Sequence, residues 1–185
     1  MEPWVWILIV VVVILFFVIV GIYNGLVRRR KEVDNAWAQI DVQLKRRCDL
    51  IPNLLETVKG YAAHESSVFE KVTQARSAAM AARGTGEKIA AETNLGGALK
   101  GLMVQVEAYP ELKANQNFLA LQEELSSTEN KIAFSRQHYN DSATNYNTAI
   151  AVFPACIIAA LFHFKDCELW QIADAAEREA PKVKF

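Results

Sequence analysis

Apolar positions fall into two regimes along the chain. From Trp4 to Tyr23 every residue is apolar except Gly21, and no charge occurs from Pro3 to Val27. At ~1.5 Å per residue, such a run matches a hydrocarbon layer ~30 Å thick. It predicts a spanning helix, with Phe16 and Phe17 inside the lipid. Trp4 and Trp6 mark one interface and Tyr23 the other. Beyond it, apolar residues recur at alternating steps of three and four. One series runs Trp37, Ile40, Leu44, Arg47, Ile51, Leu54, Val58 and Tyr61, and keeps its phase through Glu65, Val68, Val72, Ala75 and Ala79. A second runs from Phe118 and Leu121 through Leu125, Thr128, Ile132, Ser135, Tyr139, Ser142, Tyr146 and Ala149 to Phe153. Both are heptad-like helical seams, and polar stations make them bundle faces rather than a pure zipper.

The fold class is therefore all-α. An N-terminal transmembrane helix is followed by an antiparallel bundle of four-helix type with two long helices. The unbroken phase predicts one helix over 33–82, kinked at Pro52, where the ring removes a backbone donor. The competing expectation is a break near Gly60–Ser67, where Ser67 and Glu70 have capping-box spacing. Gly84 and Gly86 end that segment. A shorter helix is expected over about 88–108, stopped by Tyr109-Pro110, then a long one over about 115–152. Pro154 starts a new segment, and a last helix lies within 155–179. The domain reading is anchor 1–27, bundle 28–179 and tail 180–185.

Charge fixes orientation. Glu2 precedes the apolar run and Arg28, Arg29, Arg30 and Lys31 follow it. A cleaved signal peptide has the opposite order, so the run is read as an uncleaved single-pass anchor. The basic cluster keeps the bundle cytoplasmic and the short N-terminus outside the inner membrane. The cluster is also a candidate for anionic headgroups. With 20 basic and 21 acidic residues the net charge is −1, which argues against nucleic acid as a partner. Three cysteines without a CxxC spacing fit a reducing compartment.

Candidate chemistry is sparse. His64-Glu65 lacks the second His that a zinc helix needs, since position 68 is Val. Cys156, His163 and Cys167 would share a helical face, but only the last two are near enough to converge. No catalytic, cofactor-binding or metal residues are assigned, and no cofactor and no enzymatic activity are expected. The informative oddity is Arg47 on a core station, with Gln122 and Glu129 beside the matching stations of the second seam. These three either form an internal polar network or face a partner. The uncharged stretch Ala149–Phe164 is read first as a buried corner, with an interfacial segment or a second span as alternatives.

Several runs carry a resemblance. They are Arg46-Arg47-Cys48-Asp49-Leu50-Ile51-Pro52-Asn53-Leu54, Val58-Lys59-Gly60-Tyr61, His64-Glu65 and Val72-Thr73-Gln74-Ala75-Arg76. Glu107 to Asn115, Tyr139-Asn140, Tyr146-Asn147-Thr148, Phe153-Pro154-Ala155 and Arg178 to Val183 continue the set. In this order they resemble the bacterial LemA family over essentially the whole chain. The resemblance implies a membrane-anchored helical bundle without a defined activity, and links to membrane remodelling, organelle formation or neighbouring membrane-protease genes. His163 stands where the family pattern expects Gly, and Cys167–Ile172 also departs from it. The expected function is an adaptor or scaffold whose partners are the bilayer and unidentified membrane or envelope proteins. A membrane-shaping homo-oligomer is the first alternative, and an enzyme with an unrecognised site between helices the remote one.

Overall fold

The computed structural model describes residues 2–62 and 65–170. The described residues are helical without strands: α1 (Pro3–Lys59), α2 (Ser66–Ala81), α3 (Thr85–Val106), α4 (Pro110–Lys113), α5 (Gln116–Ala151) and α6 (Ala155–Leu161). They divide into two compact units, one formed by residues 2–38 with 137–169 and the other by the described residues of 39–136 with Trp170.

The first unit holds the apolar run, which is part of α1 and exposed on nearly every side. All-round apolarity suits lipid as the solvent. From Leu26 onward only one side is buried, at Val33 and Ala36. There α5 lies antiparallel to α1: Trp37 meets Tyr139, and Arg30 lies 5.6 Å from the Tyr146 ring centre. After α6 the chain turns back in extended form along α5. Tyr139 donates its hydroxyl to the Glu168 carbonyl at 2.6 Å, and Tyr146 donates to the Lys165 carbonyl. Asn147 both donates to the Cys167 carbonyl and accepts from its amide, at 2.9 Å each. Side chains thus supply the partners that a neighbouring strand would otherwise give this backbone. His163 adopts φ 57°, a left-handed conformation that suits Gly, the residue the family pattern expects there.

In the second unit α1, α2, α3 and α5 surround one core, with Ile51, Val58, Phe69, Val72, Leu95, Leu102 and Phe118 at its centre. The continuous helix over 33–82 is not what forms. α1 ends at Lys59, and α2 returns beside it: Lys59 lies over Phe69, while Arg76 reaches back to Cys48. Phase survives the reversal because both arms bury the same seam, Ile51, Leu54 and Val58 from one side and Phe69, Val72 and Ala79 from the other. Hydrophobic phase reports which face is buried, not whether the axis continues. The last expected helix is also shorter, since α6 ends at Leu161 and 163–170 is not helical. Its continuation over 171–179, His64 and the tail 180–185 lie outside the described residues. The Ala149–Phe164 stretch is not a buried corner: Phe153, Ile157 and Leu161 are exposed, and only Ile150, Ile158 and Ala159 are buried.

Pro52 sits inside α1 and has no N–H for the Cys48 carbonyl four residues earlier. Arg76 of α2 donates its Nε–H to that carbonyl at 2.8 Å. The helix break is thus repaired by the helix that folds back over it. Arg76→Met is expected to lower stability by about 1–3 kcal/mol, read as a thermal melt in mild detergent. In a Pro52→Ala background, which supplies the backbone N–H that Pro52 lacks, the same change should cost much less. Equal losses in both backgrounds would contradict the repair.

Candidate functional site

The second unit buries one charge cluster. Arg47 occupies the α1 station between Leu44 and Ile51, and its side chain is 1% exposed. Its Nη2 donates to the carboxylate of Glu92 on α3, itself 1% exposed, and also lies 3.4 Å from the Glu92 carbonyl. Its Nη1 donates to Glu129 Oε1 on α5 at 2.6 Å. Burial works against the guanidinium charge, but Glu129 and then Glu92 outweigh it and hold its pKa above the ordinary value. Arg47 Nε has no hydrogen-bond partner among the described residues. One guanidinium therefore ties three helices.

Two of the three seam candidates meet, Arg47 and Glu129. The third does not join them. Gln122 is exposed, and it lines with Glu129, Leu99, Met103 and Leu125 an open groove of about 680 Å³ between α3 and α5. Sequence reasoning missed Glu92. The signal was present, because Glu92, Leu95, Leu99, Leu102 and Val106 form one buried stripe of α3. Two further pairs flank the cluster, Arg46 with Glu124 at the surface and Lys88 with Asp41 partly buried. Cys48, one residue beyond Arg47, has its thiol pushed up by burial and then by the Glu92 charge. That direction is the one expected of a structural thiol packed in a core.

In the first unit, Trp4, Trp6, Phe16 and Phe17 are exposed around α1, while Tyr23 packs against Phe162 and Phe164. Arg28, Arg29, Arg30 and Lys31 are all exposed. Arg30 donates to Cys167 Sγ at 3.1 Å and pairs with Asp34, as does Lys31. Arg29 reaches the Asn145 carbonyl. Burial pushes the Cys167 thiol up, while Arg30 beside it pulls the other way. The shared helical face imagined for Cys156, His163 and Cys167 does not exist, because α6 stops before His163. No three His, Cys, Asp or Glu side chains converge to hold a metal ion among the described residues.

Replacing a buried ion pair whole by apolar groups is often nearly neutral, whereas removing one partner and leaving the other uncompensated is costly. Arg47→Ala strands Glu92 and is expected to destabilise the chain by about 3–5 kcal/mol. Arg47→Met combined with Glu92→Leu removes both charges and should recover most of that loss. Chemical denaturation in detergent measures both. An unaltered midpoint for Arg47→Ala would show that the cluster is not what holds these helices together.

LemA of Metamycoplasma hominis is 28% identical over 160 residues, covering 86% of this chain and 73% of that protein. The magnetosome protein MamQ of Magnetospirillum gryphiswaldense is 25% identical over 181 residues, covering 84% of this chain and 66% of its own length. MamQ 2 of Paramagnetospirillum magneticum matches at the same identity and coverage. The family model described as the LemA family matches residues 36–185, most of the chain, including the Arg47 cluster and the Pro52–Arg76 repair: the chain belongs to the LemA family.

Proposed function

We propose that this chain is a single-pass membrane-anchored adaptor, whose bundle offers the α2–α3 face to a helix of another membrane or envelope protein. One observation carries the reading. Gly97 and Gly101 lie one turn apart on α3, in an open groove of about 700 Å³ shared with Ala75 and Ala78 of α2. A Cβ added at either glycine would meet nothing within 4 Å. Packing within the chain therefore does not call for glycine, yet each costs the helix about 1 kcal/mol relative to Ala. Small residues on an open helical face let a second helix backbone come close. In this reading the chain catalyses nothing, and its buried charges serve to select helix partners. In a second reading the approaching helix belongs to another copy, and the chain organises membrane as an oligomer.

The test separates stability from binding. Gly97→Ala and Gly101→Ala should each raise the melting temperature of the full chain, by about 2–4 °C for ~1 kcal/mol. The pair should abolish crosslinking from a photoreactive residue at Gln105 in native membranes. The mass of the adduct distinguishes a foreign partner from a second copy. Stabilisation with crosslinking unchanged would remove this face from the proposal.

Orientation is tested separately. With Arg28–Lys31 held inside, protease added outside spheroplasts should leave the bundle uncut. Its degradation while a cytoplasmic control protein survives would reverse the orientation.

A further inference from the structure

The first unit carries an apolar surface that the adaptor reading does not use. Ile157 and Leu161 are four residues apart and share one face of α6, and Phe153 stands in the turn just before that helix. Phe153, Ile157 and Leu161 are 79%, 58% and 67% exposed. Phe162, next to them, is also exposed. No Asp, Glu, Lys or Arg occurs from Ala149 to Phe164, whereas Lys165 and Asp166 follow at once.

The position of this surface identifies what covers it. α5 runs antiparallel to α1, with Tyr139 against Trp37 and Tyr146 against Arg30. Ala151, where α5 ends, is five residues beyond Tyr146, and Gly25 is five before Arg30. Both steps are about 7–8 Å at ~1.5 Å per residue, so the end of α5 is level with Gly25, two residues from Tyr23. Ring contacts show the same independently: Phe162 lies 4.8 Å and Phe164 5.8 Å from the Tyr23 ring centre. Tyr23 closes the apolar run of α1, where an aromatic ring marks the lipid–water boundary. α6 bends 94° away from α5, so it lies across the direction of α1 and along the plane of a bilayer that α1 crosses. Through Phe162 and Phe164 this corner adjoins Tyr23 at the end of the span. Arg28 to Lys31 begin little more than a turn further along α1, at the height of headgroup phosphates.

We propose that the α5–α6 corner is a second membrane contact: a non-spanning apolar foot that inserts Phe153, Ile157 and Leu161 into the same leaflet that Tyr23 bounds. It is the arrangement of a short interfacial helix, whose apolar side sinks shallowly into the headgroup–acyl boundary. With the span, it gives the first unit two separate points on the bilayer and so resists rotation about the α1 axis. The inference rests on α1 crossing the membrane, and its test reports on that condition separately.

The experiment places a nitroxide on single cysteines in the full chain in nanodiscs of phosphatidylethanolamine and phosphatidylglycerol. Cys48→Ala, Cys156→Ala and Cys167→Ser form the background, whose fold is checked by circular dichroism and melting. The labelled positions are Phe153→Cys and Leu161→Cys in the foot, Val12→Cys in the span and Asp141→Cys on the water-exposed side of α5. Oxygen, which concentrates in hydrocarbon, and a water-soluble nickel chelate report the depth. Labels at 153 and 161 should relax preferentially with oxygen at shallow depth, about 5–10 Å into the boundary. The label at 12 should lie near mid-bilayer, and that at 141 should respond to nickel. Preference for nickel at 153 and 161 overturns the foot. Exclusion of both reagents there overturns it in favour of a covering protein, a second copy included. A depth equal to that of residue 12 overturns it in favour of a second span. If the label at 12 itself reports water, the anchor fails, and the foot with it. Phe153 and Leu161 are both exposed, so either label reports should the other disturb its neighbours.

Discussion

One helix must satisfy three environments in turn, and the rest of the structure answers to that constraint. α1 is apolar on all sides from Trp4 to Tyr23, charged and water-facing at Arg28 to Lys31, and one-sided from Leu26 and Val33 into the bundle. Backbone hydrogen bonding within a helix is what permits this, because no donor or acceptor need be surrendered at the lipid boundary. Gly25, between the span and the basic cluster, is itself helical, and α1 stays helical from Pro3 to Lys59.

Inside the bundle the same helix carries two local liabilities, and both are met by its neighbours. Pro52 orphans the Cys48 carbonyl, and Arg76 of α2 fills it. Arg47 places a charge in the core, and Glu92 of α3 and Glu129 of α5 neutralise it. Greasy seams alone would let several helix arrangements compete, since the polar stations are few and the apolar ones similar. Unsatisfied polar groups are too costly in most of those alternatives. Each liability therefore names a particular helix as its partner, as a polar station does in a coiled coil.

The all-helical class, the N-terminal apolar helix and the α5 boundaries were legible because they rest on long sequence signals that local chemistry does not disturb. Gln116–Ala151 falls within a residue of the expected range. The reversal between Lys59 and Ser66 was hidden because α2 buries the same seam as α1, so the phase of Val68, Val72 and Ala79 carries no mark of the turn. Arg47 was visible as an anomaly on its seam and Glu129 as a neighbour of the second seam. Glu92 was overlooked, although its stripe on α3 was readable, because no oddity drew attention to that helix. The roles of Tyr139, Tyr146 and Asn147 were not legible at all. They hold an extended return segment whose backbone needs partners, and such a segment has no periodicity to announce it.

Continuity of α1 across the lipid boundary is the claim on which anchor, bundle and foot all depend. Hydrogen–deuterium exchange of the full chain in nanodiscs measures it directly, peptide by peptide over residues 20–46. Every amide there donates within one helix, so slow exchange should run without a gap from Tyr23 through Arg28–Lys31 to Ile40. A window of fast exchange at residues 27–33 would mean that span and bundle are separate helices joined by a linker, and would contradict the account.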